Sequence, residues 1–123
     1  MIHVVVDGQP PSGNHMYEGY GANRHKKDGI ETYQNGVTYL VRDAANKARW
    51  RPGEQVIVEF RFYLSRPVDA TNAMKVIEDG IGAALCKGDR PPMCCRKYDD
   101  RFLPRAMALS TGHEKPRVEL TIW

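Results

Sequence analysis

Glu54-Gln-Val-Ile-Val-Glu-Phe-Arg-Phe-Tyr-Leu64 decides how this chain folds. Val56, Val58, Phe60 and Phe62 alternate with Gln55, Ile57, Glu59, Arg61 and Tyr63. A period of two in β-branched and aromatic residues predicts a strand with one face in the core. The period then changes. Ser65-Arg-Pro-Val68 is a short connection, and Asp69-Ala-Thr-Asn-Ala-Met-Lys-Val-Ile-Glu-Asp79 opens a helix predicted from about 71 to 86. Ile77, Ile81, Ala84 and Leu85 point that helix at the strand, and Gly80 and Gly82 suggest close packing against a neighbour.

Working outward, residues 31–49 carry Tyr33, Val37, Leu40, Val41, Ala44, Ala45 and Ala48 at helical spacing, with Gly36 weakening the first turn and Arg51-Pro-Gly53 as the stop. Residues 2–6 are β-branched and bounded by Asp7-Gly8, a strand. Residues 15–29 lack an apolar period and read as a long loop. Beyond the second helix, 87–97 is a loop, 101–110 an imperfect strand interrupted by Pro104, and 117–123 a final strand with Val118, Leu120 and Ile122 inward. The last two strands are expected to form a hairpin across Thr111–Pro116. The order is β-α-β-α-β-β: a mixed α+β domain over 1–123, with a sheet of about four strands and two helices.

The 123 residues suffice for one core, and 41% hydrophobic with 27% charged residues is the composition of a soluble globular protein. A net charge of +3 permits a polyanionic partner without demanding one. Three cysteines (Cys86, Cys94 and the adjacent Cys95) argue against a disulfide framework and for a reducing compartment. Residues 1–8 have neither the basic nor the long apolar region of a signal peptide, and no apolar run reaches membrane-spanning length. The expectation is a cytoplasmic protein with no membrane partner.

Three groups of residues can carry chemistry. Asp69, Asp99 and Asp100 each lie in a turn next to a strand, and are expected to meet at one end of the sheet. Clustered carboxylates repel one another, and a hard divalent cation with oxygen ligands relieves that repulsion and can activate water for phosphodiester hydrolysis. On the helix, Asn72, Lys75, Val76 and Asp79 share a face, and Lys75 can neutralise charge developing on a phosphate. The bland alternative is equally explicit: Asp69 caps the helix, Lys75 pairs with Asp79 on the surface, and Asp99-Asp100 is a polar turn. The second group, Tyr17, Tyr20, Arg24, His25, Lys26 and Lys27, interleaves aromatics with cations, as phosphate contact and base stacking require, and as a solvated loop also does. The third, Cys86, Cys94, Cys95 and His113, lacks the spacing of a zinc site. No nucleophile motif or phosphate-binding glycine loop is present.

In order and spacing the chain resembles the RusA-type Holliday junction resolvases over nearly its whole length. Pro10-Pro-Ser-Gly-Asn14 after the first strand is similar to that family's Pro-Pro-Ser-x-Asn element. Asp69-Ala-Thr-Asn-Ala-Met-Lys75 resembles its Asp-x-Asp-Asn-x-x-Lys motif, and Tyr98-Asp-Asp100 before a strand its Asp-Asp pair. The resemblance implies a homodimeric, Mg²⁺-dependent endonuclease (Mn²⁺ an alternative) that nicks four-way or other branched DNA. It implies Asp69 and Asp100 as metal ligands, Asp99 in support, and Lys75 at the substrate or transition state. Asn72 would orient the helix start, and Asn14, Tyr17, Arg24, Lys26, Lys27 and Arg101 would contact DNA. The chain departs from the pattern at Thr71, where the family has a second Asp. A hydroxyl is a neutral or water-mediated ligand, and the site loses one negative charge. A relative that binds branched DNA without cutting it, and a small interaction or metal-storage domain using the cysteine loop, are the alternatives.

Overall fold

A computed structural model describes residues 1–11, 17–19, 21–23, 25–26, 28–53, 55–85 and 102–123. Strand β1 (Ile2–Asp7) leads to a small ribbon, β2 (Tyr17–Glu18) and β3 (His25–Lys26), bridged by a 3₁₀ turn at Gly21–Asn23. Helix α1 (Asp28–Ala48), strand β4 (Val56–Tyr63), helix α2 (Ala70–Leu85), and strands β5 (Phe102–Ser110) and β6 (Arg117–Ile122) follow. The architecture is the expected mixed α+β one, with a four-stranded mixed sheet and two long helices. Two boundaries differ from expectation. The stretch 15–29 is not wholly loop, because Tyr17 and Glu18 pair with Lys26 and His25, and α1 begins at Asp28 rather than near 31.

Strand order is β1-β6-β4-β5, with β6 antiparallel to both neighbours and β4 parallel to β5. This corrects the expected terminal hairpin: β5 and β6 are consecutive in sequence but separated by β4. The reason is that two apolar-faced strands, β1 and β4, flank β6, which buries Val118, Leu120 and Ile122 completely between them. Strand β5, which contains Pro104 and whose pairing with β4 shifts register between Val58 and Glu59, takes the edge, where a missing backbone donor is tolerated.

The period-two reading of β4 holds residue by residue: Val56, Val58, Phe60 and Phe62 are buried and Arg61 is exposed. Phe60 and Phe62 stack with ring centroids 5.9 Å apart. Burying each such side chain contributes roughly 1.5–3 kcal/mol. Both helices cover this same face. They run parallel to each other, because Gln34, Thr38 and Arg42 of α1 bond in turn to Val76, Gly80 and Ala83 of α2. A Cβ at Gly80 would stand 3.0 Å from Val37 Cβ, so here the glycine is what lets the helices approach. The buried amide of Gln34 donates to the Val76 carbonyl at 3.0 Å. At the β5 edge the cover runs out. Met107 and Leu109, opposite Phe60 and Phe62, are 46% and 41% exposed.

Parallel strands joined through a helix fix where the ends lie. The carboxyl ends of β1, β4 and β5 and the amino end of α2 are at one end of the sheet. Phe102, the first residue of β5, is beside Val56 at the other. The seven residue steps from Val56 to Tyr63 span about 23 Å.

Candidate functional site

The carboxyl ends of parallel strands, where the chain turns into helix amino termini, are the usual place for a site in such sheets. Here the turn is built from Gln9, Ser65, Arg66 and Asp69. The Gln9 side-chain carbonyl accepts from the Ser65 backbone N–H at 3.0 Å and from its hydroxyl at 3.1 Å. The Gln9 amide donates to the Arg66 carbonyl at 3.0 Å. One residue ahead of Pro10-Pro11 thus clamps the connection that delivers Asp69 to α2. Sequence reasoning passed over Gln9. Its place against a proline pair, which fixes the backbone that follows, was the available signal.

Asp69 is the N-cap of α2. One carboxylate oxygen accepts from the Asn72 backbone N–H at 3.2 Å and the other from the Asn72 side-chain amide at 3.0 Å. Its carbonyl accepts the first helical bond, from Ala73 N–H at 3.0 Å. The capping alternative is therefore realised, and it orients the carboxylate. A carboxylate has about four lone-pair sites, so two accepted bonds leave capacity toward solvent, where Asp69 is exposed. Thr71 and Lys75 are exposed, and Asn72 half-buried. Val76, expected on the same polar face, is fully buried. Asp79 is half-buried with its carboxylate 3.5 Å from the Gln34 amide, so it engages α1.

Next to this turn stands a second polar group that sequence reasoning did not assemble. The His113 backbone N–H donates to Leu64 O at 3.0 Å, holding the β5–β6 turn on the end of β4. Ser110 Oγ lies 2.7 Å from His113 Nε2, the imidazole meets the Tyr63 ring edge-on at 5.4 Å, and the Arg117 guanidinium sits 4.0 Å above Tyr63. The Glu59 carboxylate beside Arg61 holds that guanidinium firmly charged, through a hydrogen bond and Coulomb attraction. His113, considered above as a thiol-site partner, is engaged here instead. Tyr63, Ser110 and Arg117 come from three strands, and only the strand order brings them together.

The other expected residues divide cleanly. Tyr17 and Lys26 face each other as Cα partners across the β2–β3 ladder. Asn14, Arg24, Lys27, Asp99, Asp100 and Arg101 lie outside the described residues, as do Tyr20 and all three cysteines. The parallel register sets the α2 amino terminus and Phe102 at opposite ends of β4, and the expected meeting of Asp69 with Asp99 and Asp100 falls on residues outside those described. Among the described residues no three His, Cys, Asp or Glu side chains converge into a group able to hold a metal ion, and no helix is long and apolar enough to cross a membrane. In comparisons with known proteins, no family model matches this chain and no curated protein matches it.

Proposed function

We propose that this protein is a RusA-like, Mg²⁺-dependent endonuclease acting on four-way or other branched DNA. The observation that carries the reading is the exposed polar start of α2. There Asp69, held by Asn72, stands one helical turn and a half from Lys75, at the carboxyl end of β4. The same residues carry the motif resemblance. The donor set fits the cation at its lower limit: Mg²⁺ usually takes one or two carboxylates, with waters and phosphate oxygens completing the shell. Asp69 supplies one carboxylate and Thr71 a neutral hydroxyl. A bound metal would supply an activated water and charge neutralisation on the phosphate. Asn72 fixes the rotamer of Asp69, and the Lys75 ammonium balances charge building on the phosphoryl oxygens. Arg117 at the same end of the sheet offers a cation to the DNA backbone, an affinity that falls with salt.

The test is nicking of a labelled four-way junction with Mg²⁺ or Mn²⁺. The parent cuts, and Asp69→Asn, which keeps the cap, does not. Equal cutting by both proteins reduces Asp69 to a cap and removes the proposal. Thr71 favours a second reading, junction binding without cleavage. A parent that binds but does not cut, and gains cutting in Thr71→Asp, establishes that one.

A further inference from the structure

At the other end of the molecule, α1 and α2 finish side by side and the chain turns into β4 through Arg49-Trp-Arg51. A cleft of about 540 Å³ opens there, bordered by Arg42, Asn46, Arg49, Trp50 and Arg51, with Leu85 at its floor. That volume lies within the roughly 300–1,000 Å³ of ligand sites. Among the described residues, no acidic one lines it. Trp50 is half-buried and packs on the core, and the guanidiniums on either side of it in sequence belong to exposed residues.

The backbone supplies an independent sign. Helix α1 ends with Trp50 N–H bonded to the Ala45 carbonyl at 2.9 Å and Arg49 N–H to the Asn46 carbonyl at 3.2 Å. The residue between helix and Trp50 must then turn left-handed, a place glycine ordinarily takes. Here it is Arg49, at φ +52°, and no other described non-glycine residue has a positive φ. A strained backbone kept at the cost of stability points toward a role for the side chain. Arg42 has a structural task, donating to the Ala83 carbonyl at 3.1 Å and capping α2.

We propose that this cleft binds single-stranded DNA, with a base stacked on Trp50 and the neighbouring phosphates held by Arg49 and Arg51. An indole between cations fits a strand of bases and phosphates, because stacking serves any base and guanidinium serves phosphate. An acidic peptide would use the cations and leave the indole idle. The cleft is separated from Asp69 by the 16-residue length of α2, about 24 Å. Strand binding there stands on the Arg–Trp geometry and does not depend on metal or cleavage.

The experiment uses the Trp123→Phe protein, so that Trp50 is the sole tryptophan. It is titrated with an oligothymidylate of about 12 nucleotides, a length within known single-strand site sizes, in a buffer containing a chelator. Trp50 emission is quenched saturably, and Asp69→Asn leaves the quenching unchanged even if the nuclease reading fails. Arg49→Gly melts at the same temperature or a few degrees higher, since glycine accepts the left-handed turn, yet binds about tenfold more weakly. With Arg51→Ala added, the salt dependence of log affinity loses about 1.4, or 0.7 for each phosphate contact on a single strand. Unquenched Trp50 emission, affinity insensitive to both arginines, or equal quenching and competition by polyglutamate each overturns the proposal.

Discussion

Asp69 caps α2, the proposed function gives the same carboxylate a second role, and substitutions separate the two. Removing its carboxylate as Asp69→Ala takes away the α2 cap and is expected to cost about 1 kcal/mol, a fall of about 4 °C in Tm for a domain of this size. Asn is as good a cap as Asp, so Asp69→Asn melts with the parent and differs only in metal-dependent nicking. Thermal melts of both variants beside the junction assay check this. Thr71 is the complementary position. It occupies the first turn of α2, where the helix dipole favours negative charge by about 0.3–1 kcal/mol. Thr71→Asp is therefore expected to raise Tm slightly and to lower the Mg²⁺ concentration for half-maximal nicking roughly tenfold. A Tm gain without any change in metal requirement would place Thr71 outside the site.

Among the elements, the α1–α2 contact is close enough for single glycines to decide it. Two glycines in these helices have opposite surroundings, and they predict opposite effects of the same substitution. Gly36 is exposed, and a Cβ added there would meet no atom within 4 Å, whereas Gly80 would drive a methyl to 3.0 Å from Val37. Gly36→Ala is expected to stabilise by about 0.5–1 kcal/mol through helix propensity. Gly80→Ala, despite the same propensity gain, is expected to destabilise by about 1–2 kcal/mol because the packed interface must part. Denaturant midpoints of the two variants decide it; equal and positive shifts would mean that the helices are not in close contact. The sequence reads Gly36 as a weak first turn and Gly80 as a point of close packing, and the burial of Gly80 against Val37 bears out the second.

For the whole molecule, the proposed function asks whether its two expected carboxylate ligands, Asp69 and Asp100, come from one chain or from two subunits. Phe102 enters beside Val56, and the α2 amino terminus lies toward the other end of β4. Met107 and Leu109 stand uncovered at the β5 edge. Subunit mixing answers the question directly. If the pair is shared, Asp69→Asn and Asp100→Asn proteins, each inactive alone, regain nicking when mixed and refolded together, because one of the two sites is then intact. If the pair lies within one chain, the mixture stays inactive.

The alternation from Val56 to Phe62 determined a strand and its buried face without help, because a period of two admits one arrangement of side chains about a half-covered sheet. The apolar stripes likewise determined α1 and α2, and the Asp-Ala-Thr-Asn run the start of α2, because capping is a local hydrogen bond made by residues three apart. The order of strands was not local. Whether β6 folds back on β5 or slips between β1 and β4 depends on which neighbours offer it two apolar flanks, and consecutive positions in sequence say nothing of that. For the same reason the sequence did not bring Gln9, Ser110, His113 and Arg117 to one place. Each is an ordinary polar residue until the parallel β4–β5 pair and the inserted β6 carry it to the end of the sheet where Asp69 stands.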